Sequence, residues 1–262
     1  MPISICMISG QEAHRIARAL EGLSDWASEI IVVLNAEAND GTDRIAEQHG
    51  AKVFRERWKG MIAQKASVAA KAASEWILDL DADEVVSPEL LDEIHRVFAE
   101  PSVRETFAAF SYPRLSWYCG RWIRHGDWYP DRQTRLWRRN SGRWGGTDPH
   151  AKLIVDGPVR KLQGNLLHYS NQSINQQVQK IIPFSDEFLR DNRAPGWAFF
   201  DLAIRPLWRF IRAYFFRLGF LDGWPGYYIA WVNAFSAVTR YAKLRERTLT
   251  QNSRRDEIRN GQ

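Results

Sequence analysis

Short apolar segments and longer amphipathic segments alternate over the first hundred residues. The apolar segments predict strands at 3–9, 29–35, 51–56 and 75–81. The amphipathic segments predict helices at 11–23, 40–50, 61–74 and 87–100. Ser87 followed by Pro88 is typical of a helix start, and Gly50 of a helix end. This alternation predicts βαβ units, and therefore a doubly wound, mostly parallel sheet with helices on both faces.

Polar side chains stand where the predicted strands end. Ser9 ends the first strand, Asn35 ends the second, and an acidic cluster around Asp81 ends the fourth. Because ligands of open α/β sheets bind beyond the carboxyl ends of the strands, these residues mark the expected ligand crevice.

The pattern changes after residue 105. Residues 107–170 are rich in Trp, Tyr, Arg and Gly, and they predict strands in FAAFSYPRL, RQTRLWRR and AKLIV without a long helix. Residues 172–190 predict a helix. We therefore expect one α/β domain over 1–195, with a ligand-binding half at 1–105 and a second half at 106–195. A helical, aromatic-rich extension follows over 196–262.

The extension combines arginines with aromatic side chains. Residues 197–241 contain fifteen aromatic residues in 45 positions. A helix over 205–220 places Arg205, Arg209 and Arg212 on one face, and Trp208, Ile211 and Phe215 on the other. This arrangement is typical of a basic amphipathic helix that lies on a membrane surface. The alternative is that such helices simply pack on the domain.

The segment 223–239 carries no charged residue. Its 17 positions are marginal for a membrane span, and Pro225 with Gly226 predicts a break in the helix instead. The chain beyond Lys243 is charged, and we expect it to fray after a helical start.

Charge is distributed unevenly. Residues 1–100 carry 10 Lys and Arg against 18 Asp and Glu, whereas residues 101–262 carry 26 against 13. A basic second half fits a membrane surface, a nucleic acid or a polyanionic substrate. Cys6 and Cys119 form no disulfide framework, and the N-terminus lacks the pattern of a signal peptide. These features predict a protein of the reducing cytoplasm.

The acidic cluster consists of Asp79, Asp81, Asp83 and Glu84, at the end of an apolar strand. An EF-hand loop shares the Asp spacing, but it requires Gly where Glu84 stands and Glu where Leu90 stands. A phosphatase nucleophile normally follows the first strand rather than the fourth. Acids that favour the next helix start explain one or two of the four. Hard divalent cations favour such carboxylates and often bridge them to phosphates, which predicts a metal–diphosphate site.

With the acidic turn placed after the fourth strand, the sequence resembles a family 2 glycosyltransferase of the GT-A fold. The matching blocks, in order, are the first strand with Glu12 after it, EIIVVLNAEANDGT, GMIAQKASVAAKAASEWILDLDADE and WYPDRQTRLWRR. The last block, with HYS and GFLDGWPGYYIAW, is similar to the lipopolysaccharide-core β-1,4-glucosyltransferase branch. The resemblance covers about residues 2–245 and implies an inverting enzyme with a nucleotide-diphospho-sugar donor, first of all a UDP-sugar.

The resemblance also implies roles for individual residues. Asp81 and Asp83 form the D-x-D turn, where Mg²⁺ or Mn²⁺ binds the donor diphosphate, and His168 approaches the same metal. The remaining donor-binding positions are Ser9, Glu12, Asn35 and Lys65. Relatives usually carry Asp in place of Asn35. Lys65 and His168 have ordinary structural alternatives, as a surface helix lysine and a core or loop histidine.

An inverting transfer requires a base that removes the proton of the acceptor hydroxyl. Relatives often carry an acid directly after the His of GGTDPHAKL, but this chain has Ala151. We therefore predict Asp148 as the base, with His150 as its partner or as an acceptor contact. The alternative for Asp148 is a turn residue before Pro149.

The predicted acceptor-side loop contains Trp128, Tyr129 and Asp131, because aromatic rings offer sugars an apolar face. Arg135, with Arg138 and Arg139, is predicted to meet acceptor phosphates, or alternatively to line a solvated strand face.

Together these inferences predict a peripheral enzyme on the cytoplasmic face of the inner membrane that acts on a lipid-linked saccharide. Two alternatives stay open at this point: a nucleotidyltransferase and a basic nucleic-acid binder. The acidic first half argues against nucleic acid as a partner. No oligomeric state follows from the sequence.

Overall fold

The first hundred residues form the alternating elements that their pattern predicts. A computed structural model describes residues 1–148, 150–169, 173–190 and 195–259, with side chains as far as residue 253. The strands are β1 (Ile3–Ser9), β2 (Glu29–Asn35), β3 (Ala51–Glu56), β4 (Trp76–Asp79) and β5 (Glu84–Val86). The helices are α1 (Ile16–Leu20), α2 (Thr42–Gln48), α3 (Met61–Ala69) and α4 (Pro88–Ala99).

The predicted helices are present but shorter than their hydrophobic patterns. Helix α1 shows the largest difference, beginning at Ile16 instead of residue 11. The backbone N–H of Glu12 donates to the Thr42 hydroxyl, and that of Ala13 donates to the Asp40 carboxylate. These side-chain partners replace the helical ones, so the chain forms turns before α1 begins. Helix α4 starts as predicted, because the Ser87 side chain accepts from the N–H of Leu90.

The sheet is parallel in its first half and mixed afterwards. Strands β3, β2, β1 and β4 lie side by side in that order, and the pairs β1–β2, β2–β3 and β1–β4 are parallel. Ile5 and Met7 of β1 join a core on one face, whereas Cys6 and Ile8 join a second core on the other. Both faces are therefore covered, which confirms the predicted doubly wound α/β fold with a mostly parallel sheet.

Later strands complete the mixed half. After α5 (Pro101–Thr106) come β6 (Ala109–Tyr118), β7 (Arg121–Ile123), β8 (Asp131–Arg138), β9 (Gly142–Thr147), β10 (His150–Val155), β11 (Val159–Lys161) and β12 (Leu166–His168). Strand β8 lies antiparallel between β4 and β6, and β12 pairs antiparallel with β5. Strands β9 and β10 form a separate hairpin. All three strands predicted for this region are confirmed.

The chain divides into two compact units, and the second takes a segment from within the first. One unit consists of residues 1–115 and 131–170, and the other of residues 116–130 and 171–262. The predicted partition into 1–195 and 196–262 stays a prediction.

The second unit is helical apart from the short pairing of β7 with the end of β6. Its α-helices are α6 (Ile174–Gln179), α7 (Ile181–Arg190), α8 (Arg205–Ile211) and α9 (Gly223–Arg259). The π-helical segments Phe200–Ile204 and Arg212–Phe216 adjoin the two ends of α8. The predicted helix over 172–190 is thus two helices, and its first residue, Gln172, lies outside the described residues.

Two expectations for the C-terminal segment are wrong. Pro225 and Gly226 do not break a helix, because α9 begins at Gly223 and Pro225 lies in its first turn, where a missing N–H is tolerated. The chain beyond Lys243 does not fray early, since α9 continues to Arg259. Gly226 is required by a close approach, as an added Cβ would lie 2.0 Å from the Gly219 carbonyl oxygen. No helix in the described part of the chain is both long and apolar enough to cross a membrane.

Candidate active site

The acidic cluster forms a tight turn at the carboxyl end of β4. Asp79 is the last residue of the strand, and Glu84 is the first residue of β5. The N–H of Asp81 donates to Glu84 Oε2 at 3.1 Å, and the N–H of Glu84 donates to the Asp81 carbonyl oxygen at 2.9 Å. These two bonds hold the turn closed and fix the direction in which Asp81 and Asp83 leave it.

Two cations neutralise the first two carboxylates of the cluster. Lys65 Nζ lies 2.6 Å from Asp79 Oδ2 and 2.7 Å from Asp81 Oδ1. Arg135 donates to Asp79 Oδ2, and its Nη2 lies 3.0 Å from Asp81 Oδ2. The four residues, which we call the buried quartet, carry two positive and two negative charges, and Asp81 is its most accessible member, with a side chain 30% exposed. Lys65 is 3% exposed and Asp79 is fully buried, so the contacts between opposite charges must offset the cost of burying these ions.

The strand register explains why Arg135 reaches this position. Strand β8 runs antiparallel to β4, with Leu136 opposite Leu78 and Arg138 opposite Trp76. The next position along each strand brings Arg135 to Asp79. The expected solvated strand face is therefore wrong for Arg135, which is only 8% exposed. Its contact with an acceptor stays a prediction.

Electrostatics separate the two aspartates of the turn. Burial opposes ionisation of Asp81, but Arg135 and Lys65 outweigh burial and hold the pKa of its carboxyl well below the usual range. Burial raises the pKa of Asp83, and the negative charge of Asp81 raises it further. Arg15 Nη1, 3.4 Å from Asp83 Oδ2, opposes this rise only in part. Of the two aspartates, Asp83 is thus the one that would gain more from an additional positive charge.

Glu84 is the least ionised acid of the cluster. Burial, followed by repulsion from Asp81, raises its pKa to about 7, against the attraction of Arg135 and Arg114. Arg114 lies 3.3 Å from Glu84 and 2.6 Å from Asp131. The predicted acceptor residue Asp131 is therefore tied to the acidic turn through Arg114.

The other predicted donor-binding residues lie at the same ends of the parallel strands. Ser9 closes β1 with its hydroxyl oxygen buried, and that oxygen has no hydrogen-bond partner among the described residues. Asn35 closes β2, and its Oδ1 accepts from the N–H of Glu37 at 3.3 Å. Glu12 follows β1 and pairs with Arg15. Glu12, Arg15 and Asp83 thereby form a connected charge network.

His168 ends β12, opposite Glu84 in the sheet register. Its Nε2 lies 3.7 Å from Asp83 Oδ1. The structure therefore brings together Asp83 and His168, two of the three side chains that the resemblance assigns to a metal.

The donor atoms fit a hard divalent cation in part. Asp83 offers a carboxylate whose pKa is raised by burial and by the negative charge of Asp81, with the His168 imidazole beside it. Both Asp81 oxygens are already engaged by Lys65 and Arg135. Within the described residues, no group of three or more His, Cys, Asp or Glu side chains is placed to hold a metal by itself. Mg²⁺ usually takes only one or two protein carboxylates together with substrate phosphates, and Asp83 meets that requirement.

The Asp148 side chain contacts the first turn of α3, the helix that carries Lys65. Its Oδ1 accepts from the N–H of Ile62 at 2.9 Å, which satisfies a donor that the first turn leaves unpaired. Gly60 leaves room for this contact, because an added Cβ would lie 2.3 Å from Asp148 Oδ2. His150 is exposed at the start of β10, opposite Thr147. Pro149 lies outside the described residues, as does Ser170 of HYS.

Trp128 and Tyr129 belong to the second unit, whereas Asp131 and Arg135 belong to the first. Trp128 packs edge-on against Tyr118, with ring centroids 5.2 Å apart. Tyr129 precedes Pro130 through a cis peptide bond. These contacts describe a packed segment, and the predicted stacking on a sugar stays a prediction.

Arg15 and Arg114 are the charged residues of the site that the sequence analysis missed. Arg114 has a signal in the sequence, because it stands inside the apolar strand AAFSYPRL, where a charge requires a buried partner. Arg15 has a weaker one, three residues after Glu12. A cluster of four acids implies nearby cations in general, but their identity depends on the tertiary fold.

Residues 4–162 match the sequence family "Glycosyl transferase family 2". The chain belongs to this family. An uncharacterized glycosyltransferase of Rickettsia typhi is 33% identical over 258 residues, which cover 94% of this chain and 88% of the relative. A second uncharacterized glycosyltransferase, from Rickettsia felis, is 33% identical over 264 residues, which cover 94% of this chain and 90% of the relative. Membership of glycosyl transferase family 2 confirms the predicted enzyme class over the two alternatives that the sequence analysis left open.

Solved structures give more distant likenesses. S. aureus TarS 1-349 in complex with UDP-GlcNAc is 13% identical, covers 91% of this chain and 82% of its own, and has a TM-score of 0.47. Glucosyl-3-phosphoglycerate synthase from Mycobacterium tuberculosis, in complex with Mg²⁺ and UDP, is 14% identical. The likeness covers 66% of this chain and 73% of the synthase chain, with a TM-score of 0.44.

Proposed function

We propose that this family 2 glycosyltransferase moves a sugar, with inversion, from a nucleotide-diphospho-sugar to a saccharide hydroxyl. A UDP-sugar is the first candidate donor. The observation that carries the proposal is the concentration of charge at the carboxyl ends of the parallel strands. Lys65, Arg135 and Arg15 surround Asp81 and Asp83 there, and the buried Ser9 hydroxyl oxygen lacks a partner among the described residues.

The residues of the buried quartet suit the handling of a diphosphate. Lys65 and Arg135 each contact both Asp79 and Asp81. When donor phosphate oxygens approach, both cations can turn from Asp81 to the phosphates while Asp79 still holds them. Asp79 would thereby keep the cations oriented, so that little reorganisation accompanies the departure of the nucleoside diphosphate.

Asp83 and His168 are the residues that we propose to hold Mg²⁺ or Mn²⁺, with Asp81 joining once its cations turn to the donor. The bound ion would supply positive charge for the leaving diphosphate. Arg15 restrains the Asp83 carboxylate from the opposite oxygen.

Asp148 is the proposed base, with His150 as its partner or as an acceptor contact. The acceptor hydroxyl would transfer its proton to an Asp148 oxygen as it attacks the anomeric carbon. The contact of Asp148 with the Ile62 N–H restrains the carboxylate while leaving its second oxygen available.

The acceptor that we propose is a lipid-linked saccharide, and the resemblance to the lipopolysaccharide-core branch suggests the inner core. We further propose that the enzyme works peripherally on the cytoplasmic face of the inner membrane, with Trp128 and Tyr129 on the acceptor side. The exposed aromatic side chains of the second unit support this proposal.

The central test measures donor binding. We expect a UDP-sugar to raise the melting temperature more strongly with Mn²⁺ or Mg²⁺ than with a chelator. We expect Asp83→Ala to abolish the metal-dependent part and to lower transfer at least about 100-fold. Asp92→Ala, an exposed acid on α4, is the matched control and should change neither. If no nucleotide diphosphate stabilises the protein in a metal-dependent way, the proposed function is wrong.

A second test separates the two contributions of Asp148. Asp148→Asn keeps an oxygen that can accept from Ile62 N–H, so stability should be retained while transfer falls about 100-fold or more through loss of the base. Asp148→Ala should lose transfer and also about 1 kcal/mol of stability through loss of the helix cap. If Asp148→Asn transfers sugar at the normal rate, Asp148 is a capping residue only.

A further inference from the structure

The second unit exposes many large aromatic and aliphatic side chains between residues 207 and 235. Six of them define what we call the aromatic face: Trp208, Phe215, Phe216, Phe220, Trp224 and Trp231, with exposed fractions between 44% and 68%. Ring contacts connect this region. Trp208 meets Phe216 with centroids 5.6 Å apart, and Tyr214 meets both Phe215 at 5.1 Å and Phe220 at 6.2 Å. An apolar surface of this extent usually marks an interaction site.

The arginines next to the aromatic face are turned toward carboxylates of their own unit. Arg212 donates to both oxygens of Asp127 at 2.9 Å, and Arg217 and Arg209 lie 3.4 Å and 3.9 Å from the same carboxylate. Arg205 pairs with Asp201 at 3.0 Å. The guanidinium groups that the sequence predicted as a basic membrane contact therefore pair with acids of their own unit, while the arginine side chains stay between 37% and 50% exposed.

The tip of this region carries no exposed charge. Between Leu218 and Thr239 the one charged residue is Asp222, which is 1% exposed. Its carboxylate accepts from the backbone N–H groups of Arg124 and His125 and contacts the His125 ring at 3.0 Å. Entry of this tip into an apolar medium therefore requires no ionised side chain to leave water, which removes the largest penalty for such a transfer.

We infer that the aromatic face inserts into the interfacial layer of a lipid bilayer by apolar burial and does not require anionic headgroups. Trp is typical of that layer because its ring is amphipathic, and Phe accompanies it on helices that lie there. A protein partner would normally also use exposed Arg, and residues 218–239 contain none. This inference rests on the proposed membrane association and specifies its chemistry.

The experiment is co-sedimentation of the full chain with vesicles of pure phosphatidylcholine and of phosphatidylcholine with phosphatidylglycerol. We expect the protein to bind both kinds of vesicle, with affinities that differ by less than about threefold. We also expect the affinity for each vesicle to change by less than about threefold between 0.1 M and 1 M NaCl. Leu221, next to Phe220 in the chain, is 50% exposed. The triple variant Phe220→Ser, Leu221→Ser, Trp224→Ser should bind at least about tenfold more weakly, because burying even one large apolar side chain is worth that factor. Leu249→Ser, on the charged part of α9, is the matched control and should bind normally.

A second measurement covers the case in which the triple variant does not fold. Brominated phosphatidylcholine should quench part of the tryptophan fluorescence of the unaltered protein, and lipids brominated near the headgroup should quench most strongly. Absence of quenching would overturn the inference.

Two further outcomes would contradict it. Binding that requires phosphatidylglycerol and disappears in 1 M NaCl would show attachment through arginines. A dimer in lipid-free solution that the triple variant converts to a monomer, without vesicle binding, would assign the face to a second copy of the chain. The proposed transfer reaction is tested separately through metal-dependent donor binding, so either result can fail while the other stands.

Discussion

Asp79 in the first unit and Asp127 in the second are each surrounded by cations, yet their surroundings differ. Counting side-chain atoms alone, Asp79 is 1% exposed, and its partners Lys65 and Arg135 are 4% and 10% exposed. Asp127 is 8% exposed, whereas Arg209, Arg212 and Arg217 are between 37% and 50% exposed. In the first unit both signs of charge have left water, and in the second only the carboxylate has.

This difference determines what each cluster can contribute. Ions that have lost their hydration depend on one another, so removing one leaves an uncompensated buried charge. Cations that stay half exposed return to water when their partner is removed. The buried quartet is therefore suited to holding charges in fixed positions for a substrate. The arginines around Asp127 direct basic side chains inward and leave the aromatic face outside.

The largest expected effect is at Asp79. Asp79→Asn leaves Lys65 and Arg135 with Asp81 as their remaining partner in the quartet, and we expect a loss of about 3–5 kcal/mol in the free energy of unfolding. Urea unfolding measures it. The double variant Asp79→Asn, Lys65→Met restores a neutral cluster and should recover part of the loss. If both variants lose the same stability, charge imbalance is not the cause.

The corresponding change in the second unit is Asp127→Asn, for which we expect a loss of only about 1 kcal/mol. The three arginines can take water as their partner once the carboxylate is removed. The same urea titration checks it, with Asp186→Asn as an exposed control, since Asp186 pairs with Lys243 and its side chain is 54% exposed. A loss equal to that of Asp79→Asn would remove the distinction between the clusters.

The local pattern of the sequence was sufficient for most of the fold. Apolar segments located β1 and β2, and Ser87 with Pro88 located the start of α4. Turn residues at strand ends also located the acidic site, because parallel strands bring their carboxyl ends to one edge. The resemblance then placed Asp83 and His168 together, and they lie 3.7 Å apart.

Partners that are distant in sequence were not predictable in the same way. Arg135 is 56 residues from Asp79, and only the antiparallel register of β8 on β4 brings them together. The helical period correctly separated the arginines from the aromatics of the C-terminal segment. It could not indicate which face points to solvent, because that depends on Asp127, 85 residues before Arg212.

The smallest expected effect extends the comparison to a third, more accessible carboxylate. Glu56 is 17% exposed and lies 2.8 Å from both Lys59 and Lys71. Hydrogen bonds from Lys59, Lys71 and Ser67 lower its pKa from 4.5 to about 2. Because the folded protein binds the proton less readily than the unfolded chain, this contribution is present above pH 4.5 and is lost as pH falls toward 2.

Glu56→Gln should therefore cost less than about 1 kcal/mol at neutral pH, since water competes for the lysines. The difference from the unaltered protein should shrink as pH falls from 5 to 2, which urea titrations across that range would measure. Glu47→Gln, on α2, serves as the control, because Glu47 is an exposed acid. If the stability difference between Glu56→Gln and the unaltered protein stays constant with pH, Glu56 contributes through packing. Exposure of the carboxylate would then not explain why the expected effects decrease from Asp79 through Asp127 to Glu56.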